Sequence, residues 1–128
     1  MKTKIVIILM LLLPFATISK AQNKVEVNST KVNSMLKTDK TLIVLDVRTA
    51  EEFKEGHIKG AINIDIRQPD ALTKIDKINK KTKYIVHCRT NHRSKIAVDH
   101  MIQSGFKTVY QMMDGYAGWS QNNLPIVK

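Results

Sequence analysis

The sequence predicts an α/β domain in which helices flank a central, mostly parallel five-stranded sheet. Three observations support this fold class. Residues 41–47 form a near-continuous run of β-branched and apolar side chains, typical of a strand covered on both faces. Residues 84–87 form another strand-length run and lead straight into a helical pattern. Strand-like and helix-like segments alternate along the chain, as in parallel sheets, and 128 residues are enough for one such domain.

In the first half of the chain, alternating segments predict strands and polar residues mark where helices begin. Asn28, Ser29 or Thr30 can cap the first helix, which is expected to end near Lys37. Thr49 opens a capping box with the glutamate three residues later. The predicted strands are residues 25–27, 41–47 and 61–66, and the second and third helices lie before Gly56 and between Pro69 and Ile78.

The second half of the chain repeats this alternation. The strand at residues 84–87 is followed by a helix from about Ser94 to Ser104, with apolar side chains on one face. Gly105 is well placed to end that helix, with Phe106 packing back on its last turn. The final predicted elements are a strand at residues 108–112 and a short helix within residues 115–122, followed by Pro125.

The only cysteine lies where the strand at residues 84–87 meets the following loop. A strand-loop-helix turn puts Cys88 at the carboxyl end of the strand, where ligands of parallel sheets bind, and aims backbone N–H groups at its sulfur. Arg89 and Arg93 follow one and five residues later. These surroundings favour a thiolate and hold an anion beside it. The alternative is a buried, inert cysteine at a strand end.

The first twenty-one residues have the three parts of a secretory signal. Residues 1–4 are basic, residues 5–13 are apolar, and residues 19–21 form a small-x-small cleavage site. The apolar run is too short to span a bilayer of about 30 Å. We therefore expect a signal peptide at 1–21, no stable membrane insertion after its cleavage, and a mature domain at 22–128 that is periplasmic or secreted. A retained N-terminal anchor is the alternative.

The net charge of +10 does not by itself indicate a nucleic-acid partner. The lysines are scattered, and the densest cluster, at residues 80–83, has no interleaved aromatic residues on which bases could stack. We expect instead a soluble surface with a mild preference for anionic substrates. One cysteine cannot form an internal disulfide, and one cysteine with four dispersed histidines matches no zinc-site spacing, so no metal is predicted.

Three separated motifs resemble those of the rhodanese family. The first comprises the segments Leu45–Arg48, Glu51–Phe53 and Gly56–Asn63. The second is Tyr84–Ser94, which is similar to the family's active-site loop, and the third comprises Asp114–Trp119 with Leu124–Ile126. The resemblance covers almost all of the expected mature chain, in order, and implies a single rhodanese-like domain.

The resemblance implies sulfur transfer without a cofactor. Cys88 would be the catalytic nucleophile, taking a sulfane sulfur from a small anionic donor such as thiosulfate and holding it as a persulfide. A thiophilic acceptor, cyanide or a thiol, would then take that sulfur, and a protein donor or acceptor is compatible with this scheme. The oxyanion of the donor is expected to bind Arg89 and Arg93. The full set of predicted substrate-binding residues is Arg89, Thr90, Asn91, His92, Arg93 and Ser94.

This sequence departs from the family pattern where glycine is usual. Asn91, Asp114 and Asn123 stand at three such positions. Asn and Asp are the non-glycine residues that best tolerate a left-handed backbone. We therefore expect a positive φ at all three, and the Asn91 side chain is expected to affect substrate preference.

The other polar residues of the motifs are expected to have structural roles. Arg48 and Glu52 lie four residues apart and are predicted to form an ion pair. Asp46 is expected to accept backbone N–H bonds, and His57 to satisfy backbone groups in a turn. His87 points away from Cys88 on its strand and is expected to be half-buried.

Three other functions compete with sulfur transfer. Cysteine phosphatases and arsenate reductases resemble Cys-x5-Arg, which would need arginine at position 94, whereas Arg93 gives Cys-x4-Arg here. A non-catalytic rhodanese-like binding module typically lacks the cysteine, and Cys88 is present. A redox thiol would need a resolving cysteine, which the chain does not contain.

Overall fold

The computed structural model describes Pro14 and residues 23–128. The predicted signal segment lies outside these residues apart from Pro14, so the signal peptide and the cleavage site remain predictions. No helix in the described part of the chain is long and apolar enough to cross a bilayer.

Five parallel strands form one sheet in the order β1-β5-β4-β2-β3. This confirms the predicted fold class, with every described strand pair parallel. The central strand, β4, lies between β5 and β2, so its carboxyl end opens at the middle of the sheet edge where ligands bind. The strands are β1 (Lys24–Val27), β2 (Ile43–Asp46), β3 (Ile62–Asn63), β4 (Lys83–His87) and β5 (Thr108–Met112).

Five helices connect these strands and end the chain, and their caps follow from the sequence. Asn28 is the N-cap of the first helix and accepts a hydrogen bond from the Lys31 N–H at 2.8 Å. Gly105, at φ 86°, ends the fourth helix, and the Phe106 N–H donates back to the Met101 carbonyl. The helices are α1 (Ser29–Thr38), α2 (Ala50–Glu55), α3 (Ala71–Lys77), α4 (His92–Gln103) and α5 (Gly115–Gln121).

Helices cover both faces of the sheet and bury a separate apolar cluster on each. The α4-side cluster joins residues of α3 and α4, such as Met101, to alternate residues of the central strands, such as Leu45 and Val86. The α5-side cluster joins Val32 of α1 and Trp119 of α5 to the other face of β2, β4 and β5. Burial on both faces explains why the central strands are nearly continuous apolar runs.

Some predicted boundaries were wrong, that of the third strand most of all. The strand predicted at residues 61–66 is only the two-residue β3, because the Asn63 side-chain amide donates to the carbonyls of Asp46 and Arg48 at 2.9 Å each. A continuing parallel strand would use the second of those carbonyls for its own backbone ladder. The helix predicted from about Ser94 begins at His92, so the loop after β4 is shorter than expected.

Candidate active site

Cys88 directly follows the central strand, and its side chain is buried. It is 1% exposed and packs in the α4-side cluster, on the same face of the sheet as Val86. His87, one residue earlier, points to the opposite face. The sulfur therefore lies between the end of β4 and the start of α4, as the strand-loop-helix pattern predicted.

The first turn of α5 holds the loop that follows the cysteine. The Tyr116 N–H donates to the Cys88 carbonyl at 2.8 Å, and the Ala117 N–H donates to the Arg89 carbonyl at 2.9 Å. Gly115 has φ 59°, and a Cβ atom there would lie 2.5 Å from the Arg89 carbonyl oxygen and closer still to that of Thr90. Glycine is thus required for both its backbone conformation and its lack of a side chain.

Asp114 anchors this turn of α5 to the start of α1. Its carboxylate accepts hydrogen bonds from the Ser29 N–H at 2.8 Å and from the Ser29 hydroxyl at 2.6 Å. Gly118 packs so closely on the Asp114 side chain that a Cβ atom would overlap it. The position of the cysteine loop therefore depends on residues from opposite ends of the domain.

Arg93 forms an ion pair with Glu52, not with an open anion site. Its two terminal nitrogens donate to the two Glu52 carboxylate oxygens at 2.7 and 3.1 Å. These hydrogen bonds lower the pKa of Glu52 to about 2 and raise the pKa of Arg93 above its usual range. The predicted ion pair between Arg48 and Glu52 was wrong, because α4 brings Arg93 to that carboxylate.

Arg48 follows the end of β2 and pairs instead with Asp46, the last residue of that strand. Its guanidinium donates to the Asp46 carboxylate at 2.7–3.1 Å and to the Gly56 carbonyl at 2.8 Å. It also stacks over the Tyr116 ring, 3.8 Å from the ring centroid. Asp46 accepts the Arg48 backbone N–H as expected, but its main partner is a buried cation.

His87 lies beside this ion pair and is fully buried, not half-buried as predicted. Its Nδ1 lies 3.0 Å from the Cys88 carbonyl, while Nε2 has no hydrogen-bond partner among the described residues and lies 3.6 Å from an Asp46 oxygen. Burial lowers the pKa of His87. A neutral ring with its proton on Nδ1 donates to that carbonyl, which helps to fix the end of β4.

The other predicted substrate-binding residues fall into two groups. Arg89, Thr90, Asn91 and His92 are exposed. Ser94 is fully buried, and its hydroxyl donates to the Asn91 carbonyl at 3.0 Å, which closes the loop onto the first turn of α4.

The expected left-handed backbone occurs at only one of the three positions. Asn123 has φ 51°, whereas Asn91 has φ −147° and Asp114 has φ −87°. Asn91 precedes α4 and Asp114 precedes α5, each as the N-cap residue. In this protein the positive φ near the second of these positions belongs to the following residue, Gly115.

The loop presents backbone N–H groups that no described residue uses. No hydrogen bond to a described acceptor involves the N–H groups of residues 89–94. The last three of these belong to the first turn of α4, where helical N–H groups have no partner within the helix. These N–H groups and the positive charge of Arg93 favour an anion at the loop that follows Cys88.

The model of the rhodanese-like domain matches residues 28–122. The chain belongs to the rhodanese-like family. Sulfur transfer is the general chemistry that its relatives in this family support.

Individual relatives of this rhodanese-like protein agree. It is 35% identical over 91 residues to thiosulfate sulfurtransferase 16 of Arabidopsis thaliana. The match covers 63% of this chain and 76% of the relative. It is 30% identical over 127 residues to rhodanese-like domain-containing protein 17 of the same plant, covering 89% and 80%. The solved structure of a rhodanese-related protein from Thermoplasma volcanium matches with a TM-score of 0.69 at 29% identity, covering 80% and 97%.

A cleft of about 450 Å³ lies next to the loop of the rhodanese-like domain. Arg89 and Glu52 both line it, as do Arg48, Glu55 and Tyr116. Among the residues that the structure describes, no group of three or more histidine, cysteine, aspartate or glutamate side chains could hold a metal ion.

The sequence predicts the cysteine loop, but it does not predict most of the contacts that hold this loop in place. The sequence could have predicted the pairing of Asp46 with Arg48, because side chains two residues apart in an extended segment point to the same side. The contacts of Gly115 and the pairing of Arg93 with Glu52 join segments far apart in the chain. No local pattern marks them.

Proposed function

We propose that this rhodanese-like protein is a sulfurtransferase that carries a sulfane sulfur on Cys88. The observation that carries the proposal is the position of its only cysteine. Cys88 ends the central strand, beneath a loop whose backbone N–H groups have no described partner and within reach of the charge of Arg93. A thiolate and a persulfide are both anions, and this arrangement stabilises an anion.

In the first half-reaction, the Cys88 thiolate attacks the outer sulfur of the donor. With thiosulfate, the new bond joins the Cys88 sulfur to the sulfane sulfur, the sulfur–sulfur bond of the donor breaks, and sulfite leaves with that electron pair. The Cys88 persulfide remains on the enzyme. Splitting the transfer in two in this way gives ping-pong kinetics.

In the second half-reaction, a thiophilic acceptor attacks the outer sulfur of the persulfide. Cyanide becomes thiocyanate, or a thiolate becomes a persulfide, and the Cys88 thiolate is regenerated. A small acceptor bound in the cleft would lie next to the cysteine loop, because Arg89 lines that cleft. A protein that delivers or removes the sulfur fits the same chemistry, because residues 89–92 are exposed.

Two alternatives are less well supported by the site. A phosphatase with a Cys-x5-Arg loop needs a guanidinium at position 94, where the buried Ser94 hydroxyl instead donates to the loop backbone. A non-catalytic module needs no nucleophile, whereas Cys88 is present at the predicted position. The two alternatives therefore differ in whether Cys88 reacts with a sulfur donor, and the loading experiment below distinguishes them.

The protein is also proposed to act outside the cytoplasm, because residues 1–21 have the three parts of a signal peptide. N-terminal sequencing of the exported protein should begin at Gln22. An intact Met1 in that material, or a product found only in the cytoplasm, contradicts this part of the proposal.

The decisive test of sulfur transfer is the intact mass of the protein after incubation with thiosulfate or with cysteine persulfide. We expect the mass of one added sulfur, which cyanide removes as thiocyanate. Because Cys88 is the only cysteine, Cys88→Ser is a complete control and should gain no sulfur. Hydrolysis of an aryl phosphate should stay at background. The proposal fails if neither donor loads the wild type, or if Cys88→Ser still forms thiocyanate.

A further inference from the structure

We infer that Glu52 determines which donors the site accepts, by holding Arg93 so that donors with little negative charge are favoured over the dianion thiosulfate. The preferred donor class is then a small-molecule or protein perthiol. This inference rests on the sulfur transfer proposed above and concerns the first half-reaction only. It makes Glu52 a specificity-determining residue that acts through Arg93, not a catalytic residue.

The hydrogen-bonding edge of Arg93 that faces Glu52 is already occupied. Both terminal nitrogens donate to the Glu52 carboxylate, and the Arg93 side chain is only 14% exposed. Such a fork-to-fork pair is the geometry by which arginine would otherwise bind the oxygens of thiosulfate. The donor oxyanion would therefore have to compete with a carboxylate that the protein itself supplies.

Glu52 is held in place from its other side as well. It is the third residue of the capping box of α2, where the Thr49 N–H and hydroxyl lie 3.3 and 3.1 Å from its Oε1. Its pKa of about 2, lowered first by the hydrogen bonds from Arg93, keeps it ionised throughout the neutral range. Neither a change of rotamer nor ordinary protonation therefore frees Arg93 at little cost.

The positive charges of the loop are partly offset by nearby carboxylates. Besides Glu52, the Asp65 carboxylate lies near enough to contribute to the raised pKa of Arg93. Asp65 is itself fixed by the Arg67 N–H at 2.9 Å. The remaining cation of the loop is Arg89, which is exposed and pairs with no carboxylate among the described residues. Glu52 thus offsets the charge of Arg93, with a smaller contribution from Asp65, which disfavours the approach of a dianion.

A perthiol avoids this cost. The Cys88 thiolate attacks the outer sulfur of R–S–S–H, the donor sulfur–sulfur bond breaks, and R–S⁻ leaves with one negative charge. The Cys88 perthiol remains and keeps the transferred proton until it ionises. The leaving group carries one charge where sulfite carries two, so the unpartnered loop N–H groups suffice to stabilise it.

The test compares Glu52→Gln with wild type, using thiosulfate and cysteine persulfide as the two donors. Gln keeps the shape of Glu and its capping-box role while removing the charge. We expect kcat/KM for loading from thiosulfate, divided by that for cysteine persulfide, to rise about tenfold in Glu52→Gln. The change should appear in the KM for thiosulfate.

Two variants serve as controls. Glu51→Gln removes an exposed charge from the same turn of α2 and should leave the ratio at the wild-type value. In the double variant Glu52→Gln with Arg93→Gln, the ratio should fall back, because the freed cation is gone. A merely structural role of Glu52 would change loading from both donors together and would not be reversed by loss of Arg93.

The outcomes separate this inference from the proposed function. If neither donor loads Cys88 in the wild type, the proposed sulfur transfer fails and the donor inference falls with it. If both donors load it but the ratio is unchanged in Glu52→Gln, sulfur transfer stands and the role of Glu52 is overturned. A wild type that prefers thiosulfate to cysteine persulfide also overturns it.

Discussion

The two halves of the loop after Cys88 are held by different kinds of interaction. The first half is fixed through its backbone, because the carbonyls of Cys88 and Arg89 accept hydrogen bonds from the first turn of α5. Gly115 makes this close approach sterically possible. Both hydrogen bonds join backbone groups, which do not titrate themselves.

The second half of the loop is fixed by side chains. Arg93 is bound to Glu52 of α2, and the Ser94 hydroxyl donates to the Asn91 carbonyl. An ion pair that is partly exposed contributes less to stability than a close-packed backbone contact, but it changes the electric field at the sulfur. The comparison indicates that α5 holds the backbone of the loop, while α2 supplies the carboxylate to which we attribute the choice of donor.

The largest effect should come from breaking the backbone half with Gly115→Ala. The added methyl group meets the carbonyl oxygens of Arg89 and Thr90, and alanine is strained at φ 59°. Overpacking and strain each cost about 1–3 kcal/mol, so we expect a loss of about 3–5 kcal/mol in the free energy of unfolding. Sulfur loading of Cys88 should fall to background. Denaturant unfolding and intact mass after thiosulfate or cysteine persulfide measure the two effects.

Gly105→Ala is the matched control for this prediction. Gly105 has a similar φ of 86°, but apart from its chain neighbours no atom of the described residues lies within 4 Å of where its Cβ would be. It should lose only the conformational part, about 1–2 kcal/mol, and keep its loading activity. Equal losses in the two variants would show that the contact between Gly115 and the loop contributes nothing.

A smaller effect is expected from the charged half. Glu52→Gln should lose about 1 kcal/mol of stability at neutral pH, because the pair is partly exposed and screened by solvent. The folded pKa of Glu52 is about 2, below its ordinary value of 4.5. A depressed carboxyl pKa contributes stability above the unfolded pKa, and that contribution is lost as the pH falls from about 4.5 towards 2.

The difference in stability between wild type and Glu52→Gln should therefore shrink over this acid range. Unfolding measured at several pH values checks it, with Glu51→Gln as the control for the general loss of a surface charge. A difference that stays constant down to pH 2 would mean that the charge of Glu52 is not what stabilises the loop.

The contrast between the two halves also explains how much the sequence could predict. The five strands, the capping box of Thr49 and the end of α4 at Gly105 depend on neighbours within a few residues, and those predictions were confirmed. The placement of Cys88 at the carboxyl end of β4 follows from the same local pattern. Local periodicity and turn chemistry therefore determine the frame and the position of the nucleophile.

The partners of the charged residues could not be predicted in the same way. Arg93 meets a carboxylate 41 residues earlier in the chain, and Arg48 was assigned to that carboxylate because the two lie within one turn. Sequence spacing favours local ion pairs, whereas the positions of α2 and of the start of α4 in the fold decide between the two arginines. Long-range contacts of this kind depend on how the helices are placed on the sheet.

The smallest effect is expected at Asn91, which we compare with Asn123 because both stand at usual glycine positions. Asn123 adopts φ 51°, whereas Asn91 has φ −147° and makes no side-chain capping hydrogen bond to α4. Asn123→Ala should thus cost about 1 kcal/mol, since alanine tolerates a left-handed backbone less well than asparagine. Asn91→Ala should stay within about 0.5 kcal/mol of wild type, as exposed positions without special geometry usually do. Denaturant unfolding of both variants under one set of conditions gives the comparison. A larger loss at position 91 than at position 123 would mean that the second half of the loop depends on its backbone as much as the first half does, which would remove the distinction between the two halves.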